Sequence, residues 1–239
     1  MQLSLDVYVQ EIVATSGRPE GVSVEVLVRP IGSSLPTSVY YDLLSQSKAK
    51  KIILASMTSI LNLDFSDMSM IAGSGEQICQ LFFNVEPELL PEIKKEIVEF
   101  HAMLKMYGIK LVIELTERVT LEFDKKYRDI SETLFELSDE GICFAMDDFS
   151  GFRDVRRGWL LTGAISIVKL VLPNDFSYVS KSRHDFLFLV NEIKARNVDV
   201  VIEKVETFKE LLCLDMLSCD YVQGHFFGEP QKVSALSVF

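Results

Sequence analysis

Phe144-Ala145-Met146-Asp147-Asp148-Phe149-Ser150-Gly151 ends a short apolar run in two adjacent carboxylates and a Ser-Gly turn. Gly141-Ile142-Cys143 leads into it, and so brief an apolar run between glycines predicts a buried strand over 142–146. Neighbouring acids beside a core repel each other and lose hydration unless something positive accompanies them. A helix cap or a solvated turn accounts for a lone Asp-Asp. The recurrence of polar residues at the ends of nearly all the other strands points instead to a shared site.

Outward from this stretch the chain keeps a regular rhythm. Strands are predicted over 3–13, 22–28, 80–84, 110–115, 142–146, 164–170, 198–202 and 221–223. Helices are predicted over 38–61, 86–107, 124–140, 183–196 and 207–217, with a short helix or loop over 153–162. Gly108 and Gly141 read as helix stops, and Pro87 as a helix start. Residues 62–75 and the loop with Gly32 and Pro36 read as irregular, and 233–239 as a tail. The turn-rich stretch 15–21 is too short for a crossover helix, so the first two strands are expected to pair antiparallel. Eight strands alternating with helices over 239 residues predict an α/β fold: a variant (β/α)8 TIM barrel with an antiparallel first strand. No linker or repeat divides the chain, so a single domain over 1–239 is expected.

The formal charge of −11 argues against binding DNA through phosphate contacts, but clustered acids can hold divalent cations, which in turn hold phosphate. No apolar run approaches the roughly 20 residues of a membrane span. The N-terminus shows no basic region or cleavage site, and the four cysteines lack Cys-x-x-Cys spacing. A cytoplasmic setting with reduced thiols is expected, for a whole protein or a domain of a larger one.

In a barrel of this kind the reactive residues lie at the C-terminal strand ends. Those ends carry Glu25, Asn84, Glu114, Asp147 with Asp148, Lys169, Glu203 and Gln223. Each has an ordinary structural explanation, such as a Lys stem lying along the core or a Glu capping a helix. Together, Glu25, Asn84, Glu114, Asp147 and Asp148 form an all-oxygen set without His or Cys, suited to Mg²⁺ or Mn²⁺ and not to structural zinc. The adjacent Asp pair could serve two ions, with Lys169 orienting a water and Glu203 accepting its proton. His101 and His184 read as surface residues, while His225 could line the site.

At these residues the chain resembles the EAL-domain family, bacterial cyclic di-GMP phosphodiesterases. Glu25-Val26-Leu27-Val28-Arg29 resembles Glu-Ala-Leu-x-Arg, and Glu114-Leu115-Thr116-Glu117 resembles Glu-Leu-Thr-Glu. Asp147-Asp148-Phe149, Lys169, Glu203-Lys204-Val205-Glu206 and Gln223-Gly224-His225-Phe226-Phe227 with Pro230 follow in the family's order. The resemblance implies hydrolysis of cyclic di-GMP to linear pGpG, with metal held by Glu25, Asn84, Glu114, Asp147 and Asp148. It implies catalysis by Lys169, Glu203 and Glu25 and ligand contacts from Leu27, Arg29, Gln223 and Asp148. Gln223 would sit beside the metals, Glu117 would anchor the loop after Asp148, and that loop would take part in a homodimer. The chain departs from the pattern at Ser150-Gly151-Phe152 (followed by Arg153, Arg156 and Arg157), at Leu170-Val171 where the family has Ile-Asp, at Lys204 and at His225. The altered loop and Val171 also motivate a second expectation, a non-catalytic sensor of cyclic di-GMP or a protein-binding regulator. A proton-abstracting barrel centred on Lys169 is a third, without the lid domain it would need.

Overall fold

The computed structural model describes residues 3–15, 21–31, 37–63, 65, 77–120, 122–176, 179–214 and 217–238. Much of the predicted irregular stretch 62–75, the loop 32–36 and most of the first turn lie outside these residues.

The strands are β1 (Leu3–Ala14), β2 (Val22–Pro30), β3 (Ile78–Val85), β4 (Lys110–Leu115), β5 (Cys143–Met146), β6 (Ile167–Val171), β7 (Asp199–Glu203), β8 (Tyr221–Val222) and β9 (Gln231–Val238). From β2 to β8 each strand pairs parallel with the next. β1 closes the barrel, antiparallel to β2 on one side and to β8 on the other. This is the variant α/β barrel expected from the sequence.

Two expectations need correction. The stretch read as a tail contains β9, which pairs antiparallel with residues Leu3 to Val9 of β1. β1 has 12 residues and β8 only two, so β8 leaves most of one edge of β1 bare. Buried or edge N–H and C=O groups need partners, and β9 provides them. The long helix read over 38–61 is broken into α1 (Thr37–Asp42) and α2 (Gln46–Leu61). Ser45 between them is extended (φ −70°, ψ 150°), and its carbonyl takes the amides of Lys48 and Ala49 as the new helix begins. A hydroxyl residue in this role starts a helix readily, although no side-chain cap bond forms here.

The remaining helices are α3 (Leu90–Met106, preceded by a 3₁₀ turn at Pro87–Leu89), α4 (Phe123–Asp139), α5 (Arg157–Leu161), α6 (Ser180–Lys194) and α7 (Phe208–Leu214). α3 buries Ile93, Ile97, Phe100 and Leu104, a three-and-four spacing that lays one stripe on the sheet. Among the described residues no helix is long and apolar enough to cross a membrane. No disulfide joins the four cysteines.

Inside the barrel, alternation with period two sorts the strands. Ile12, Phe82, Val112, Ala145, Ile167 and Val201 meet as one apolar cluster, with Tyr221 packed against it. The next inward position along each strand is two residues on, and there the chemistry changes to Asn84, Glu114, Asp147, Lys169, Glu203 and Gln223. On antiparallel β1 the count runs backwards, to Gln10. The apolar cluster is a plug, and the polar layer stands on it at the mouth. Phe82 is fully buried in the plug, so Phe82→Ala is expected to cost about 3–5 kcal/mol, read as a lowered denaturation midpoint.

Candidate active site

Lys169 stands at the centre of the polar layer. Its Nζ lies 3.0 Å from Glu25, 2.8 Å from Glu114, 2.9 Å from Glu203 and 3.4 Å from Asp147. Five strands thus deliver five charges to one point, and the lysine is only 1% exposed. Glu25 is held on both oxygens: Asn84 Nδ2 donates to Oε1 at 2.8 Å, and Gln223 Nε2 donates to Oε2 at 2.8 Å. Gln10 joins from β1, where its Oε1 accepts from Gln223 at 3.3 Å and its Nε2 donates to the Gly228 carbonyl at 2.9 Å. Nothing in the sequence motifs marked Gln10; its inward parity on β1 was the available signal.

The electrostatics follow from burial and the imbalance of charge. Two carboxylates about 4 Å apart repel by about 4 kcal/mol at an effective dielectric of about 20, and one ammonium does not neutralise four of them. Burial works against ionised Glu25, but the Lys169 ammonium and the Gln223 amide outweigh it and hold this carboxyl below its ordinary range. Burial, with the Glu25 charge adjacent, pushes Glu114 well above that range. Burial also raises Asp147, and lifts Glu203 to about 8. Burial would lower Lys169, yet the surrounding carboxylates, Glu114 foremost, overcome it and keep the ammonium charged. The ring lacks positive charge.

The five residues expected to share metal fall into two overlapping groups. Glu25, Glu114 and Asp147 meet around Lys169, and Asn84 reaches them through Glu25. Asp148 instead joins Asp147 and Glu117, each of the three offering an oxygen within 4.8 Å of the others. Asp147 belongs to both groups. The donors fit Mg²⁺ or Mn²⁺: all are hard oxygens, and the buried carboxylate of Glu114 meets the Lys169 ammonium at Oε1 and has no hydrogen-bond partner at Oε2. A cavity of about 260 Å³ opens beside them, lined by Asp147, Asp148 and Glu117 and by apolar residues that include Leu27, Ile52 and Phe83. Arg29 is exposed beyond Leu27 on β2, its guanidinium 5.0 Å from the centre of the Tyr8 ring. His225 is exposed, as is His184.

Two site residues adopt left-handed backbone without being glycine, Asp148 at φ 44° and Lys204 at φ 59°. Such conformations persist where the surroundings impose them. For Lys204, next to Glu203, the side chain is exposed, so the cost is not offset by packing. Lys204→Gly is expected to raise stability by about 0.5–1 kcal/mol, the left-handed penalty less the added chain entropy, measured by urea denaturation.

The profile of the EAL domain matches residues 49–230. Glu25 and Arg29 lie before that span. Among curated proteins, Oxygen sensor protein DosP of Escherichia coli (strain K12) is 30% identical over 130 residues. That match covers 52% of this chain and 15% of DosP, so the chain spans a small part of this relative's length. Among solved structures, the FimX EAL domain from Pseudomonas aeruginosa bound to c-di-GMP superposes with TM-score 0.66 at 17% identity, covering 95% of this chain and 90% of that one. The PaMucR phosphodiesterase in complex with c-di-GMP gives TM-score 0.67 at 20% identity, with 95% and 92% covered. These identities speak for the fold alone. The profile match, which runs from α2 to just short of β9 and takes in the acid-bearing ends of β4, β5 and β7, carries the assignment: the chain belongs to the EAL-domain family.

Proposed function

We propose that this chain is a divalent-cation-dependent phosphodiesterase that opens cyclic di-GMP to linear pGpG in the cytoplasm, as a single domain over 1–239. The observation that carries the reading is the ring of carboxylates around Lys169, which is short of positive charge at the mouth of the barrel.

Glu25, Asn84, Glu114, Asp147 and Asp148, with Glu117 added from the geometry, would hold one or two Mg²⁺ or Mn²⁺ ions. When bound, such ions withdraw charge from phosphate oxygens and make water more acidic. The chain's own residues do the rest. Hydrolysis adds one water: its oxygen bonds to phosphorus, one P–O ester bond breaks, and the departing oxygen leaves with a proton. Lys169 is buried and fixed, so its N–H groups can orient the water without a reorganisation cost. Glu203 touches Lys169, and its carboxyl, raised by burial, is the group placed to take the proton from that water. Gln223 and Asn84 fix the carboxylate of Glu25. Leu27 in the cavity wall and exposed Arg29, two residues further along β2, are assigned to the ligand. Exposed Phe152, Val155 and Phe188 beside the loop after β5 supply an apolar surface for a homodimer.

A second reading, a cyclic di-GMP sensor or protein-binding regulator without turnover, is favoured by Val171. It stands directly across from Glu203 in the β6–β7 register, at an inward position where a further acid would otherwise face the site. The FimX EAL domain, a structural neighbour, was solved with c-di-GMP bound.

Linear pGpG is expected to form with Mg²⁺ or Mn²⁺ and to cease on adding chelator, followed by chromatography of the nucleotides. Glu25→Ala is expected to slow turnover by at least about 100-fold. Full-rate hydrolysis by Glu25→Ala would sink the catalytic reading. Calorimetric binding of cyclic di-GMP without product, across several ions, would decide for the sensor.

A further inference from the structure

Outside the acid ring the most deeply buried cation among the described residues is Arg156, 1% exposed and in the loop between β5 and α5. Its Nη1 donates to the carbonyl of Leu115 at 2.7 Å. That same carbonyl accepts the amide of Asp147 at 3.0 Å. Leu115 lies between Glu114 and Glu117 in the chain, so one oxygen fixes the backbone of the acid-bearing end of β4 against that of the acid-bearing end of β5.

The other edge of the guanidinium is closed by Asp154, which accepts from Nε at 2.9 Å and from Nη2 at 2.7 Å. Asp154 also takes the amide of Arg156 at 2.9 Å and that of Ser150 at 3.2 Å. On the far side, the carbonyl of Lys169 accepts the amide of Phe149 at 3.0 Å. The loop is therefore tied to β4, to β6 and to itself by groups of one chain. Only a planar fork serves a bidentate carboxylate and a carbonyl at once; a lysine would present a single point charge. The tie has work to do, because Asp148 sits at φ 44° and needs its neighbours to keep it there.

We propose that Arg156, with Asp154, is a positioning residue that assembles Asp147, Asp148 and Glu117 into one divalent-cation site within a single copy of the chain. The ligand of this proposal is the one assigned under the phosphodiesterase reading, on which it rests; a partner copy is not needed to form the site.

The test is Mn²⁺ binding by the full chain, read by calorimetry, with turnover of cyclic di-GMP recorded separately. Arg156→Gln and Asp154→Asn are expected to weaken Mn²⁺ by about 10–100-fold. Arg156→Lys keeps the charge without the fork; it is expected to weaken binding as well, and carries the test if the Gln variant does not fold. Ile93→Ala, buried on α3, serves as a control for lost stability and is expected to leave Mn²⁺ affinity unchanged. Wild-type affinity is expected to hold through about a hundredfold dilution, since assembly from two copies would make it concentration-dependent. Four results would overturn the proposal: unchanged affinity in folded Arg156 and Asp154 variants, equal weakening in Ile93→Ala, affinity lost on dilution, or no Mn²⁺ uptake by the wild type. Wild-type binding without product would refute catalysis and leave the clamp standing. Turnover together with unaltered Mn²⁺ binding in the Arg156 variants would refute the clamp and leave catalysis standing.

Discussion

One ammonium group among four carboxylates is the constraint to which the mouth of the barrel answers. A buried charge survives only with partners, and Lys169 has partners from four different strands. Remove it and the acids repel; keep it and they remain incompletely neutralised. The raised carboxyls of Glu114, Asp147 and Glu203 are the other side of that balance. A lysine alone makes a stable barrel end. A lysine with too many acids makes a place that gains by accepting further positive charge.

The barrel gives that arrangement its precision. Phe82, Val112, Ala145, Ile167 and Val201 fill the interior beneath the polar layer, so each charged side chain above starts from a fixed height. The strands cannot slip by one residue without turning these apolar groups outward and the acids into the helix layer. Register and chemistry are therefore specified by the same alternation. In the loop after β5, hydrogen bonds from Arg156 and Asp154 replace the ladder.

This explains which features could be read from the sequence. The strand ends were legible because Glu114, Asp147, Lys169 and Glu203 each follow an apolar residue two positions earlier, and the period-two rule puts them on one face. The helix stops at Gly108 and Gly141 were legible because both adopt left-handed backbone, at φ 75° and 90°. β9 was not, since a strand that pairs with the other end of the chain leaves no local sign beyond a weak alternation. The break at Ser45 was hidden because Tyr41, Leu44, Ile52 and Ala55 read as the inner positions of one continuous helix across it. The grouping of Asp148 with Glu117 depends on a backbone turn at Asp148 that residue types do not announce. Arg156 stood out as a departure from the family pattern, but its bond to a main-chain carbonyl has no sequence signature.

The pairing of β9 with β1 reaches beyond the sheet itself. Leu3 lies opposite Val238, and Leu5 lies opposite Pro30 on β2, past Glu25 in the direction of the mouth. Leu3 and Val238 thus lie together on the mouth side of the barrel. A bulky group joined beside either residue would crowd that mouth, so a graft into a loop on the opposite face is the sounder choice for any assay of access to it.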